Sequence, residues 1–175
     1  RGFLLDLRRR LEFIRDAHEL LEMKRDQLIR ELKAAIGKLR EAREKLEEQI
    51  EEVLREFTLI QAVYGSQEIR SASWLLDQKL EVEIIPKNVM GVNVPKIKSV
   101  KIPDVRGKYP LHVAGAAEKA SSLIRDLLHL AELESFIELI AEDLRRTNVR
   151  VNALEKVVIP SYELMIKKID EIIDQ

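Results

Sequence analysis

Cysteine is absent from the chain, so disulfide bonds, thiolate catalysis and cysteine-bound zinc are excluded. Aromatic residues are scarce at 5 %, whereas charged residues make up 35 %, a balance typical of coiled coils rather than of compact globules. No apolar run approaches the roughly 20 residues needed to cross a bilayer, and no secretory signal is visible. Phosphate-binding loops, dinucleotide fingerprints and nucleophile elbows are also missing. The sequence therefore gives no support for a phosphate-binding or hydrolase site, and it predicts no cofactor and no membrane insertion.

An excess of charge of one sign is lacking as well, since 30 basic residues face 31 acidic ones. Neither nucleic acid nor an anionic bilayer is therefore an expected partner, and the balance also disfavours a membrane-bending module. Locally the charge is uneven. Residues 1–43 carry twelve Lys or Arg against eight Asp or Glu, whereas residues 44–56 carry two against six. This unevenness fits either a solvated helix surface or a partner docked on the basic end.

Proline and glycine are rare outside residues 65–115, which leaves a long uninterrupted segment on each side. In the first segment, alternating steps of four and three residues give the 3.5-residue spacing of a coiled-coil seam. Ten of its first twelve positions are apolar, and the other two are His18 and Arg25. The twelve positions are Leu7, Leu11, Ile14, His18, Leu21, Arg25, Leu28, Leu32, Ala35, Leu39, Ala42 and Leu46. After a one-residue slip the seam continues through Ile50, Val53, Phe57 and Ile60. The pattern predicts a helix over residues 1–63 that needs a partner helix.

The second segment carries a comparable stripe and predicts a helix over residues 114–175. Its seam positions are Leu123, Leu127, Leu130, Ile137, Ala141, Leu144, Val151, Leu154, Val158, Met165, Ile169 and Ile172, with Glu134 and Asn148 as polar interruptions. Pro160 should kink this helix because it removes one backbone hydrogen bond. Two helices of similar length bury their stripes most simply by folding back on each other. We therefore predict a mainly α fold, a long antiparallel two-helix coiled coil with a small insert.

The insert, residues 64–113, is predicted to contain a short helix and a β-hairpin. The helix should span Ser66–Leu76, with Ser66 as its N-cap and Trp74 packed against neighbours. Alternation from Leu80 to Ile84 predicts a strand that Pro86 ends, followed by a second, irregular strand over Val92–Ile102. An isolated hairpin is marginal in water, so it should lean on the coiled coil or on another protein.

Polar residues on the seams have a structural interpretation. His18 and Arg25 are expected to fix the register of the helices, with Arg25 pairing with Glu134 or Glu155 across the seam. Asp126 and His129 have a spacing loosely like a di-iron ligand pair, but one imperfect copy indicates a surface pair. A metal-dependent bundle enzyme is therefore a distant alternative.

Three motifs resemble a known family. They are MKRDQL at residues 23–28, NVMGVNVP at residues 88–95 and TNVRVNALEKVVIP at residues 147–160. In this order they are similar to the D subunit of the archaeal A-type and eukaryotic or bacterial V-type rotary ATPases, and the resemblance covers essentially the whole chain. It implies a non-catalytic central rotor shaft that couples ATP synthesis or hydrolysis to ion transport. The implied partners are the catalytic A and non-catalytic B subunits, the small F subunit of the stalk, and the adapter to the membrane ring, which is called the C or d subunit. The implied location is the cytoplasmic side of a membrane.

The resemblance also implies which residues align the shaft or contact partners: Lys24, Arg25, Asp26, Asn152, Glu155 and Lys156. An equally open interpretation is that these residues only lock the two helices together. Pro160 is the implied kink of the shaft, and Asn88, Met90 and Gly91 form the implied hairpin connector. Without the resemblance, the alternative function is a coiled-coil scaffold or tethering protein. Because the sequence begins at Arg1 and ends before the basic tail usual in the family, we expect that the natural chain is longer.

Overall fold

The structure, a computed structural model, describes residues 2–74 and 79–175. Its helices are α1 (Gly2–Tyr64), α2 (Ser66–Ser73), α3 (Leu111–Ala153) and α4 (Ile159–Asp174), with a π-helical turn at Leu154–Val158 between the last two. Strands β1 (Glu81–Val89) and β2 (Val92–Lys101) form one antiparallel sheet. The predicted fold class, mainly α with a β-hairpin, is confirmed. None of the described helices combines the length and the apolar character that a bilayer span requires.

The chain divides into two compact units, and the first consists of Arg1–Ala34 and Leu139–Gln175. In this unit, α1 runs antiparallel to the helical segment that ends the chain. Arg8 pairs with Asp170 at 2.8 Å and Arg15 with Glu163 at 2.7 Å, so the number of the acidic residue falls as the number on α1 rises. The fully buried side chains of the unit are Leu28, Ile140, Thr147 and Val151. The apolar stripe of α1 is therefore covered as its spacing predicts.

The second unit consists of Ala35–Glu138 and contains the other half of α1, the hairpin and the start of α3. Its helices are also antiparallel, because Arg43 pairs with Glu134 at 2.8 Å and Lys119 with Glu52 at 2.7 Å. A small core forms where the end of α1, α2 and the start of α3 meet, from Ile60, Ala72, Val113 and Ala116, with Phe57, Ile69 and Tyr109 packed against it. All sixteen predicted seam positions of α1 are buried or half-buried.

The hairpin differs from the prediction because β1 continues through Pro86 to Val89. Pro86 lies opposite Pro95 in the register. In a hairpin closed by a two-residue loop, the pair beside the loop is hydrogen-bonded and the pairs then alternate, so the two prolines occupy a non-hydrogen-bonded pair. Neither proline therefore removes a ladder bond. The irregularity lies elsewhere, as a bulge at Glu83 and Ile84.

The hairpin leans on α3, as expected for a two-stranded sheet. The backbone N–H of Ile97 donates to a Glu132 carboxylate oxygen at 2.8 Å, and Val94 is buried. Glu132 therefore satisfies a backbone donor that β1 leaves free.

The short helix differs from its prediction in two respects. Its N-cap is Gly65, with a positive φ of 89° and no side-chain cap, rather than Ser66, which is already helical. Trp74 is 76 % exposed and does not pack against neighbours as predicted. Leu75 and Leu76, the end of the predicted helix, lie outside the described residues.

The last helical segment also departs from its predicted seam. Its helix begins at Leu111 rather than at residue 114, and Leu127, Met165 and Ile172 are exposed although the spacing places them on the seam. Tyr162 and Ile166 are half-buried instead of Met165. The π turn before them accommodates one residue more than an α turn, which rotates the buried stripe beyond it.

Candidate functional site

Lys24 connects the two helices of the first unit. Its Nζ lies 3.2 Å from Asp143 Oδ2, and both side chains are only partly exposed, at 32 % and 19 %. The Asp143 oxygen has no aligned hydrogen bond, so the contact is an ion pair rather than a directed bond. One turn further along α3, the buried hydroxyl of Thr147 donates to the Asp143 carbonyl at 2.8 Å. The Lys24–Asp143 ion pair therefore joins α1 to α3, whereas the Thr147 hydrogen bond lies within α3.

Arg25 does not make the predicted pairing across the seam. Its Nε lies 3.6 Å from Asp26 Oδ1, on the adjacent residue of α1, while Glu134 is taken by Arg43 in the second unit. The Arg25 side chain is half-buried and that of Asp26 is exposed. The pairing expected from the sequence is therefore replaced by a local one, because the carboxylate of the adjacent residue is the nearest acid.

His18 lies near two carboxylates, that of Glu22 on α1 and that of Glu155 on the opposite helical segment of the unit. His18 Nε2 lies 3.3 Å from Glu22 Oε1, one turn along α1. A Glu155 carboxylate oxygen from the π turn completes a group in which one donor atom of each residue lies within 4.8 Å of the others. In the described part of the chain, this group is the one that could hold a metal ion.

The remaining residues implied for shaft alignment and for the kink lie in or beside the π turn, with Asn152 before it, Lys156 within it and Pro160 after it. The turn is defined by the Ile159 N–H donating to the Leu154 carbonyl, five residues back. Asn152, Lys156 and Pro160 are all exposed. Pro160 lies two residues beyond the end of the turn, and its missing N–H is the physical reason why the α-helical pattern is interrupted nearby. The kink expected at Pro160 stays a prediction, as do the roles of these exposed residues.

The predicted hairpin connector forms the tip between β1 and β2. Met90 and Gly91 both have positive φ, 52° and 85°, the pattern of the tight turn that suits a right-twisted hairpin. Asn88 Oδ1 accepts a hydrogen bond from the Gly91 N–H at 3.1 Å. A methionine in the left-handed region is unusual, because only Gly, Asn and Asp adopt it readily. Nothing in the described contacts explains the choice of methionine at this position.

Some polar contacts involve residues for which the sequence predicts no role. In the second unit, Lys119 pairs with Glu52 at 2.7 Å and also with Glu56. The hydrogen bond and charge of Lys119 lower the pKa of the Glu52 carboxyl, and both glutamates raise the pKa of Lys119. His112 stacks on Tyr64 with ring centroids 3.9 Å apart and contacts Glu68 at 3.0 Å. Interhelical pairs of this kind carry no local sequence signal, since both partners look like ordinary surface charges.

Paired antiparallel helical segments, cross-linked by ion pairs and joined by a strand-pair insert, define a class of helical coiled-coil proteins. Within that class, the family model for the D subunit of ATP synthase matches residues 3–175. The chain therefore belongs to the ATP synthase D subunit family.

Individual relatives agree with this membership. The chain is 32 % identical to the V-type ATP synthase D subunit of Acetivibrio thermocellus, over 98 % of this chain and 81 % of the relative. It is 34 % identical to the V-type ATP synthase D subunit of Clostridium novyi, over 95 % and 81 %. It is also 34 % identical to the A-type ATP synthase D subunit of Methanopyrus kandleri, over 98 % and 77 %. Bacterial and archaeal relatives are thus similarly close.

Proposed function

We propose that this chain is the central rotor shaft of an A/V-type ATP synthase or ATPase. It transmits torque between a hexamer of catalytic A and non-catalytic B subunits and the membrane rotor ring, and it performs no catalysis itself. The small F subunit and an adapter, the C or d subunit, are its further partners on the cytoplasmic side of the membrane. The observation that carries the proposal is the family match over residues 3–175, which includes both helical segments and the hairpin.

Interhelical ion pairs support a mechanical role. A shaft made of two helices transmits torque only if the helices do not slide past each other. In the first unit Arg8, Arg15 and Lys24 of α1 each pair with an acid on the opposite helical segment. Exposed pairs of this kind contribute little free energy individually, about 0–1 kcal/mol each. Their value here is geometric, since each one opposes a shift of register.

Exposed apolar residues support contact with other subunits. Phe13 and Leu20, seven residues apart on α1, are 75 % and 66 % exposed, and Met23 follows on a neighbouring position. Val157 and Leu164 are likewise seven residues apart and exposed. Large apolar side chains repeated along one helix face commonly mark surfaces that a partner covers. These rows are our proposed contacts with the inner surface of the hexamer.

A rotation assay tests the proposal. Because the chain has no cysteine, a single cysteine in place of exposed Lys87 provides one site for attaching a bead. We expect this chain to join an A and B hexamer with a nanomolar dissociation constant, about −12 kcal/mol, and the bead to turn stepwise when ATP is supplied. The isolated chain should hydrolyse no ATP. In the matched control the shaft is immobilised instead, and the bead is attached to a cysteine in the B subunit.

Two results would count against the rotor shaft. Full ion-coupled turnover of a complex assembled without this chain would remove it from the torque path. Light scattering that found a stable homodimer unable to join A and B subunits would instead favour a scaffold or tethering protein.

A further inference from the structure

The most distinctive polar cluster of the first unit is formed by His18, Glu22 and Glu155. His18 and Glu22 are four residues apart on α1 and therefore project from one helix face. Glu155 comes from the π turn of the opposite helical segment. π turns within α-helices frequently occur at functional sites, because the extra residue re-aims a side chain. An imidazole and two carboxylates from two separate elements thus converge.

The polar atoms of this cluster lack ordinary partners. His18 Nε2 is buried and makes no hydrogen bond, although a Glu22 oxygen lies 3.3 Å away. Among the described residues, Glu22 forms no ion pair with a Lys or Arg, and Glu155 forms no ion pair at all. Most other interhelical carboxylates of the unit have a cationic partner, as Asp143 and Glu163 do. Two carboxylates without a Lys or Arg partner, beside a ring nitrogen that makes no hydrogen bond, leave a position that favours a cation.

The distances suit a small divalent ion. A tetrahedral site with bonds of about 2.0–2.1 Å places neighbouring ligand atoms about 3.3–3.4 Å apart. The separation of His18 Nε2 and Glu22 Oε1, 3.3 Å, has this value. The three ligand atoms all lie within 4.8 Å of one another, so binding requires the exposed Glu155 side chain to move its oxygen closer to the other two ligands. Three protein ligands then leave one coordination position for water.

We propose that His18, Glu22 and Glu155 bind a divalent transition-metal ion of the Zn²⁺ class. Imidazole nitrogen favours zinc and its transition-metal neighbours, whereas Ca²⁺ and Mg²⁺ prefer oxygen ligands alone. The bound ion joins α1 to the π turn and so fixes the segment of the unit where the helical pitch changes. This proposal is independent of the rotor function, because the ligands and their geometry are the same in the isolated chain.

Titration of the full chain with Zn²⁺ alone tests the proposal. Isothermal titration calorimetry should find one ion per chain, and thermal unfolding should shift upward with added ZnCl2. Glu155→Gln, at an exposed position that should not disturb folding, is expected to weaken binding at least tenfold, as is His18→Gln. Matched controls are Glu171→Gln on α4 and His129→Gln on α3, which should leave the affinity unchanged. With only three histidines in the chain, imidazole NMR should show Zn²⁺ perturbing the ring of His18.

Three outcomes would overturn the proposal. One is a Zn²⁺ affinity that Glu155→Gln leaves unchanged. Another is a Zn²⁺ affinity that Glu171→Gln lowers as much as Glu155→Gln does, which would indicate diffuse binding to surface acids. The third is an NMR spectrum in which His18 is protonated and insensitive to Zn²⁺, so that the cluster is only an imidazolium–carboxylate pair. Circular dichroism of each variant separates lost binding from lost folding.

Discussion

The helix pairing of the first unit depends on a few completely buried side chains, and replacing Leu28 with alanine tests it most directly. Leu28 lies on the α1 seam and is 0 % exposed. The substitution removes three buried carbons, worth about 2.4 kcal/mol at roughly 0.8 kcal/mol each. The cavity left behind raises the expected loss in the free energy of unfolding to about 3–4 kcal/mol. For a chain of this length, that corresponds to a fall in Tm of about 6–15 °C.

Leu20→Ala is the matched control, because it makes the same chemical change on the same helix at a side chain that is 66 % exposed. It should alter the free energy of unfolding by no more than about 0.5 kcal/mol. Urea unfolding of both variants, followed by circular dichroism at 222 nm with a common slope, measures the difference. If the two variants lost equal stability, or if Leu28→Ala cost under about 1 kcal/mol, the buried seam would not be what holds the unit together.

Three further predictions concern polar and turn residues. Lys24→Met should lower the free energy of unfolding by about 1–2 kcal/mol, because it leaves the partly buried Asp143 carboxylate without its cation. Arg8→Met, at an exposed pair, should lower it by less than about 1 kcal/mol. Equal urea midpoints for the two variants would contradict this. Met90→Asn should stabilise the hairpin by up to about 1 kcal/mol, because asparagine adopts the positive φ of this position more readily than methionine. Slower amide hydrogen exchange in the hairpin would measure this gain. Lys119 lowers the pKa of Glu52 below its usual value of 4.5. The Glu52–Lys119 pair therefore stabilises the fold above pH 4.5, and this stabilisation is lost as the pH falls through the lowered pKa of Glu52. Stability differences between the wild type and Lys119→Gln should therefore shrink in acid, and a constant difference down to about pH 2 would refute the assignment.

The seam of α1 could be predicted from the sequence because apolar spacing is a local property. Every position from Leu7 to Ile60 on that seam is covered. The end of the chain was less predictable. A π turn adds a residue to one turn without changing the composition around it. Beyond Pro160 the apolar spacing therefore predicts Met165 on the buried seam, whereas Ile166 is the half-buried residue. The physical cause, a missing N–H at proline, was visible, but its form as a π turn rather than a simple bend was not.

Contacts between the two helices were beyond the reach of the sequence for a different reason. Arg25 had several acids within plausible reach, and Asp26 was simply the nearest. His18 was expected to fix register, and its approach to Glu155 depends on how the π turn rotates that side chain. The strand continuing through Pro86 likewise depended on register, because a proline is tolerated only where its nitrogen faces away from the partner strand.

The facing prolines of the hairpin also affect whether another strand can pair with the free edges of β1 and β2. At a non-hydrogen-bonded pair, a backbone N–H would point away from the partner, toward the free edge of its own strand. With Pro86 and Pro95 at that position, each edge lacks a donor near its middle. A stray strand from another molecule cannot add a continuous ladder there, so the hairpin is protected against polymerising edge to edge.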